Sequence, residues 1–115
     1  MPTPNPLHPR LWKALSDAFV IYPEDAIALQ LATAATHRVP YGAAEPFCTV
    51  YLVTFARSAS LGLEAARRHL QRLEELSLAA IDGEEDNLVI DFNPLLEKAA
   101  ELSALATQRR GRVSR

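Results

Sequence analysis

The sequence has few of the residues that build metal, redox and nucleotide sites. Its one cysteine, Cys48, cannot form an internal disulfide or supply a Cys-x-x-Cys ligand pair. His8, His37 and His69 lack the spacing of zinc ligands. The four glycines form no glycine-rich phosphate loop, and no nucleophile triad or acid–base pair is visible. We therefore expect a protein that is not an enzyme and that uses no metal or other cofactor.

Long apolar runs and a large net charge are also missing. No stretch approaches the roughly 18–20 apolar residues that cross a bilayer, and the N-terminus lacks the pattern of a signal peptide. We expect a cytoplasmic protein without membrane contacts. The formal net charge is −2, from 12 Lys+Arg and 14 Asp+Glu, whereas wholesale polyanion binders such as histone-like proteins are strongly basic. The 115 residues, 49% of them hydrophobic, suffice for one domain with a single core.

Hydrophobic periodicity and turn residues predict an α+β domain, mainly α, over residues 10–107. Alternating prolines favour an extended arm over residues 1–9, and the polar, basic residues 108–115 are expected to be a disordered tail. The predicted elements in chain order are helices from about Pro9 and from Pro23, a short strand at 39–41, helices at about 50–59 (capped by Thr49) and 63–76, a hairpin at 78–92 turning at Asp82-Gly83, and a helix at about 94–107.

Residues 54–81 carry the most specific pattern in the chain. A small residue, Ala56, precedes a short turn and an arginine-bearing helix, and Leu70 follows it by fourteen positions. Residues 70–78, LQRLEELSL, then lead towards the hairpin. This segment resembles the helix-turn-helix and first wing strand of winged helix-turn-helix DNA-binding proteins, the small transcriptional regulators of bacteria and phages. The family's usual glycines in the turn and before the wing fall here at Ser60 and Ser77.

The resemblance implies a winged helix-turn-helix with extra N-terminal and C-terminal helices. It places the helix-turn-helix at about 50–76 and a two-stranded wing at about 78–92. It also implies a transcription regulator that binds double-stranded DNA as a homodimer. In a helix-turn-helix the second helix enters the major groove, and its N-terminal side chains contact base edges. The expected reader is therefore the helix at 63–76.

Side-chain chemistry selects the same helix. An apolar stripe of Leu63, Ala66, Leu70 and Leu73 would be buried, which leaves the arginines outside. Arginine can bond guanine bidentately, and glutamine can do the same for adenine. The expected base readers are Arg67, Arg68 and Gln71, and the expected phosphate contacts are Ser58, Ser60 and Arg72. The complete set of predicted DNA-binding residues is Ser58, Ser60, Gly62, Glu64, Arg67, Arg68, Gln71 and Arg72.

Three charged segments leave alternatives open. The hairpin turn Gly83-Glu84-Glu85-Asp86 would repel a phosphate backbone. It favours a winged-helix protein–protein interaction module in replication, chromosome maintenance or polymerase control, with a protein partner at the acidic wing, and it also fits a soluble turn. The arginines at 67, 68 and 72 also fit a solvated face with intrahelical ion pairs. The arginines of residues 109–115 fit either phosphate contacts or a solubilising terminus.

The last predicted helix supplies the expected dimer contact. The resemblance favours a dimer formed through a terminal helix, and this helix has two apolar rows that could pair. Two DNA readers about 34 Å apart bind more tightly than one. The alternatives are that these rows close the core of the monomer, or that the first helix, through Leu11, Trp12, Leu15 and Phe19, makes the dimer contact. The predicted dimerisation residues are Leu95, Leu96, Ala99, Leu102 and Leu105.

Overall fold

The computed structural model describes residues 7–84 and 86–113. These residues form helices and a small sheet, which confirms the α+β, mainly helical class. The elements in chain order are α1 (Leu7–Ile21), a 3₁₀ turn (Pro23–Asp25), α2 (Ala26–Thr36), β1 (Phe47–Tyr51), α3 (Leu52–Ser58), α4 (Leu63–Glu75), β2 (Ala80–Glu84), β3 (Asn87–Asp91), α5 (Asn93–Glu97) and α6 (Ala99–Val113).

The sheet is antiparallel with the strand order β1-β3-β2. The strand β1 replaces two sequence predictions, because residues 39–41 form no strand and Thr49 does not cap a helix. Thr49 lies inside β1, opposite Val89 of β3. Residues 47–51 alternate between exposed and buried side chains, as a strand with one solvated face must. Val39 is instead buried in a loop, where its carbonyl accepts a 2.8 Å hydrogen bond from the ring of His8.

The hairpin forms and its turn lies inside the predicted polar segment 82–87, but the strands extend further into that segment than a turn at Asp82-Gly83 predicts. Gly83 pairs with Leu88 and Glu84 pairs with Asn87, so Asp82-Gly83 belongs to β2 and not to the turn. Gly83 has φ +112°, and a Cβ there would lie 2.2 Å from the backbone oxygen of Asn87. Only glycine fits such a close approach of the β2 and β3 backbones without a shift of the backbone.

The helices enclose one hydrophobic core. α1 packs against α2, α5 and α6, and α2 also packs against α4. The sheet covers a further side through its inward residues. Large side chains that are fully buried in this core include Leu11, Leu29, Phe55, Leu73, Ile90 and Phe92. α4 is thereby held in place along one side, which leaves its other side in solvent.

The C-terminal region differs from its prediction in two ways. The helix is interrupted at Lys98, whose Nζ donates to the carbonyl of Leu76 at 2.9 Å, and α6 then continues to Val113. Residues 108–113 are therefore helical, not a disordered tail. Arg109 donates to the carbonyl of Ile21 at 3.2 Å, and Arg110 lies 3.3 Å from buried Asp17, so both arginines are attached to α1. Residues 114–115 lie outside the described residues. So do residues 1–6 of the predicted arm, whereas residues 7–9 begin α1.

The predicted dimer contact is used inside the monomer. Leu95 and Leu102 are both 0% exposed, and Leu96 and Ala99 are half-buried against the same core. Only Leu105 among the five is exposed. Leu95 and Leu102 are therefore covered by the chain itself and are not available to a second copy, whereas Leu96, Ala99 and Leu105 keep some exposed surface. In α1, Leu11 and Leu15 are buried while Trp12 and Phe19 are half-buried. Dimerisation itself stays a prediction.

Candidate nucleic-acid interface

The turn between α3 and α4 is a tight left-handed one. The N–H of Ser60 donates to the carbonyl of Arg57 at 3.0 Å, and the N–H of Leu61 donates to that of Ala56 at 2.9 Å. This pair of bonds is the Schellman motif, whose penultimate residue is left-handed. Ser60 has φ 59° and occupies that place. The position at which the resemblance expects glycine is therefore left-handed here too, although it is serine.

The exit from α4 repeats this arrangement. Ser77 has φ 60°, its N–H donates to the carbonyl of Glu74 at 3.0 Å, and the N–H of Leu78 donates to that of Leu73 at 2.9 Å. Leu78 is 1% exposed, so it provides the hydrophobic contact that often accompanies this motif. The two turns together fix where α4 begins and where the chain leaves it for β2.

α4 presents its arginines to solvent, as its amphipathic pattern predicts. Ala66, Leu70 and Leu73 are buried, whereas Arg67, Arg68 and Gln71 are exposed. Leu63 is the exception in the predicted apolar stripe, since 42% of it is exposed at the start of the helix. The first turn of α4 also brings the exposed residues Gly62 and Glu64 to the same end, next to Ser60. The predicted DNA-binding residues are thus neighbours, with two exceptions.

Arg72 is the first exception. Its Nε donates to Asp25 Oδ1 at 2.9 Å and its Nη2 to Asp25 Oδ2 at 3.3 Å, while Nη1 lies 3.4 Å from Glu75 Oε1. The hydrogen bond to Asp25, and to a smaller extent the one to Glu75, raises the pKa of Arg72 above its ordinary value. Arg72, the predicted phosphate contact, instead forms an ion pair that links α4 to the 3₁₀ turn before α2.

Ser58 is the second exception. Its hydroxyl donates to the carbonyl of Phe55 at 2.8 Å, inside its own helix. This proton is therefore committed, and Ser58 would have to break that bond before it could donate to a phosphate. Ser60 makes no such side-chain bond among the described residues and remains exposed.

Two of the three acidic side chains of α4, Glu74 and Glu75, lie at its C-terminal end, and the third, Glu64, lies in its first turn. Glu74 accepts a 3.1 Å hydrogen bond from the N–H of Ile81, which attaches α4 to β2, and Glu75 lies against Arg72. Arg67 and Arg68 lie one to two turns earlier. α4 consequently carries carboxylates at both ends, and its exposed arginines lie between them, in the N-terminal half.

A groove separates α4 from the hairpin. It has a volume of about 360 Å³. Arg67 and Gln71 line it from the helix, and Leu70 also contributes. Ile81, Gly83 and Leu88 line it from the hairpin, and the side chains of Ile81 and Leu88 point to the inward side of the sheet. The two side chains best suited to read bases therefore share one side of α4, while Arg68 projects from another.

Sequence reasoning missed two cations close to this surface. Arg57 is exposed in the last turn of α3. It lies inside a helix that the sequence predicts, so the helical period could have placed it on the solvent side. Arg38 is exposed at the end of α2, with its guanidinium carbon 5.6 Å from the centre of the Phe55 ring. No local signal relates Arg38 to α3, because the contact joins residues seventeen positions apart.

Other chemistry is not assembled in the described part of the chain. No group of histidine, cysteine and carboxylate side chains there could hold a metal ion. Burial raises the pKa of the Cys48 thiol to about 11, so the thiol is a poor nucleophile at neutral pH. Within the same residues, no helix combines the length and the apolar character that a membrane crossing needs.

Comparison with protein-family models, curated proteins and solved structures gave no match. The function is therefore argued from α4 and from the residues around it.

Proposed function

We propose that this chain is a DNA-binding protein, a transcriptional regulator of the winged helix-turn-helix type, which inserts the N-terminal half of α4 into the major groove. One observation supports this most directly. Arg67, Arg68 and Gln71 are exposed on a helix whose opposite side is fixed in the core by Ala66, Leu70 and Leu73. A reading helix needs both properties, since its side chains must reach the bases while its axis stays fixed.

The order of elements supports the same proposal. β1 precedes α3 and α4, and the β2–β3 hairpin follows them, which is the order that the resemblance implies for a first strand, a helix-turn-helix and a wing. The left-handed residues Ser60 and Ser77 stand where that family usually has glycine. The departures from the family pattern thus concern the residue type and not the backbone conformation.

The chemistry assigns separate tasks to the two ends of this surface. Arg67 suits a guanine edge and Gln71 an adenine edge, because each can form two hydrogen bonds to its base. The free N–H groups of the first turn of α4, beginning after Gly62, suit a phosphate. The acids at the far end of α4 would stay away from the DNA, because a reading helix contacts bases through its N-terminal residues.

The test is binding to random-sequence duplex DNA, followed by fluorescence anisotropy at about 50 and 200 mM salt. We expect affinity that falls steeply as salt rises. At a selected site, Arg67→Ala and Arg68→Ala should each weaken binding by about tenfold or more. Arg10→Ala, which removes an equally exposed arginine from α1, is the matched control and should change little. Unchanged binding in both α4 variants would remove this helix as the reader.

A second candidate, the winged-helix protein–protein interaction module, is favoured by the acidic hairpin. Asp82, Glu84 and Asp86 are all exposed at the end where a wing would approach phosphates. If the chain serves a protein partner instead, it will show no duplex binding at the lower salt concentration. Charge reversal at Glu84 and Glu85 would then abolish capture of the partner.

A further inference from the structure

The outward face of the sheet is a second candidate surface, separate from α4. Along β1, Cys48 and Val50 point into the core, whereas Phe47, Thr49 and Tyr51 point to solvent. This alternation leaves large side chains uncovered. Tyr51 is 63% exposed and Phe47 is 43% exposed. The two aromatic residues lie on one face of β1 with Thr49 between them, and exposed large apolar side chains on one face of a rigid element are typical of an interaction site.

The strand register shows what lies beside these aromatic residues. On the outward face each residue of β1 is followed by one residue of β3 and one of β2. The three rows are Phe47–Asp91–Ala80, Thr49–Val89–Asp82 and Tyr51–Asn87–Glu84. Two strand spacings, roughly 10 Å, separate the aromatic edge from the acidic edge. The face therefore combines an aromatic column with carboxylates within reach of one extended ligand.

The carboxylates on this face are available to a ligand. Asp82 and Glu84 are exposed, and no lysine or arginine in the described part of the chain forms an ion pair with either of them or with Asp91. Asp82 Oδ1 accepts the N–H of Gly83 at 2.8 Å, which orients this carboxylate. Val89, 39% exposed, fills the centre of the face between the two columns.

We propose that this sheet face binds an arginine-rich segment of a partner protein. A guanidinium can stack on an aromatic ring or bond a carboxylate through its planar fork, so successive arginines of one segment match the two columns. A lysine ammonium can also lie over an aromatic ring, but it has no planar fork and no flat face to stack, so it matches this surface less well. A nucleic acid could stack on Tyr51 and Phe47, but its phosphates would be repelled by Asp82 and Glu84. Charge complementarity thus selects a cationic peptide.

This inference does not rest on the proposed DNA contact. On the hairpin side, the groove beside α4 is lined by Gly83 and by the side chains of Ile81 and Leu88, which point to the inward side of the sheet. Tyr51, Val89 and Glu84 belong to the outward rows. The two surfaces lie on opposite sides of the hairpin, so a peptide on the outward face would leave Arg67 free.

The experiment measures binding of a labelled peptide of alternating arginine and glycine to the full chain, with a lysine–glycine peptide of equal length beside it. We expect the arginine peptide to bind more tightly. Tyr51→Ala should weaken its binding about threefold to tenfold, and the pair Asp82→Asn with Glu84→Gln should weaken it similarly. Tyr41→Ala and Glu101→Gln make the same changes at exposed positions outside the face and should have little effect. All these side chains are exposed, and thermal melts would verify that each variant is folded.

Several results would overturn the proposal. These are equal affinity for the two peptides, no binding of the arginine peptide, or binding that the face variants leave unchanged. Single-stranded DNA that binds and is lost in Tyr51→Ala would also overturn it, because the face would then be a base-stacking platform. Duplex binding measured with Arg67→Ala reports separately on α4, so failure of one proposal does not imply failure of the other.

Discussion

Replacing Ser77 or Ser60 by glycine should stabilise the protein. Both residues are left-handed, with φ 60° and 59°, and neither hydroxyl forms a hydrogen bond among the described residues. An L-residue pays roughly 1–2 kcal/mol for this conformation because its Cβ approaches the following carbonyl oxygen. Glycine has no Cβ, although it loses more backbone entropy on folding, by roughly 0.5–1 kcal/mol.

The difference between these terms predicts a gain of about 0.5–1 kcal/mol in the free energy of unfolding for each substitution. In a domain of this size that corresponds to a rise in Tm of about 2–5 °C. The two serines lie in separate turns, at opposite ends of α4, so the gains should add in the double variant. The Schellman hydrogen bonds use backbone groups only and would be unchanged.

Urea and thermal unfolding followed by circular dichroism would measure this effect. Ser16→Gly is the matched control, because Ser16 is exposed within α1, where glycine should cost about 0.5 kcal/mol. The same chemical change is therefore expected to have opposite signs at the two kinds of position. A neutral or destabilising Ser77→Gly, beside the expected loss in Ser16→Gly, would refute the left-handed assignment of this turn.

Three further predictions concern the hairpin, the ion pair between Asp25 and Arg72 of α4, and the buried thiol of Cys48. Gly83→Ala should lower the free energy of unfolding by at least about 2 kcal/mol, because its Cβ would meet the oxygen of Asn87 at 2.2 Å and its φ is +112°. Asp25→Asn should lower the Tm, and more at low salt, because it weakens the partly exposed pair with Arg72. Cys48, with its pKa raised to about 11, should stabilise the fold below pH ~9 and lose this contribution, about 2–3 kcal/mol, as the pH rises from ~9 to ~11.

Each of these has a control. Gly62→Ala tests the hairpin argument, since a Cβ at Gly62 meets nothing within 4 Å and should be tolerated. Glu75→Gln removes the longer and more exposed contact of Arg72 and should matter less than Asp25→Asn. Cys48→Ala should flatten the part of the alkaline stability loss that the thiol causes. An unchanged alkaline profile in this variant would contradict the raised pKa.

Local pattern was sufficient where one element has a strong period of its own. α4 has an apolar row of Ala66, Leu70 and Leu73 that repeats every three to four residues, so its burial and its exposed arginines could both be predicted. Two strands around a polar turn could be predicted for the same reason. The short strand β1 could not, because Val50 and Val53 also fit a helical period and the deciding hydrogen bonds come from β3, about forty residues later.

The sequence by itself determined which side chains are apolar enough to be buried and which cations are available. Only the tertiary structure decided what each of them meets. Leu95 and Leu102 were rightly expected to be covered, yet the cover is α1 of the same chain and not a second copy. Arg72 and Arg67 look equivalent in α4, but Asp25, which is 47 positions from Arg72, pairs with that residue alone. Burial depends on composition and period, which are local, whereas pairing depends on where distant segments of the chain come together.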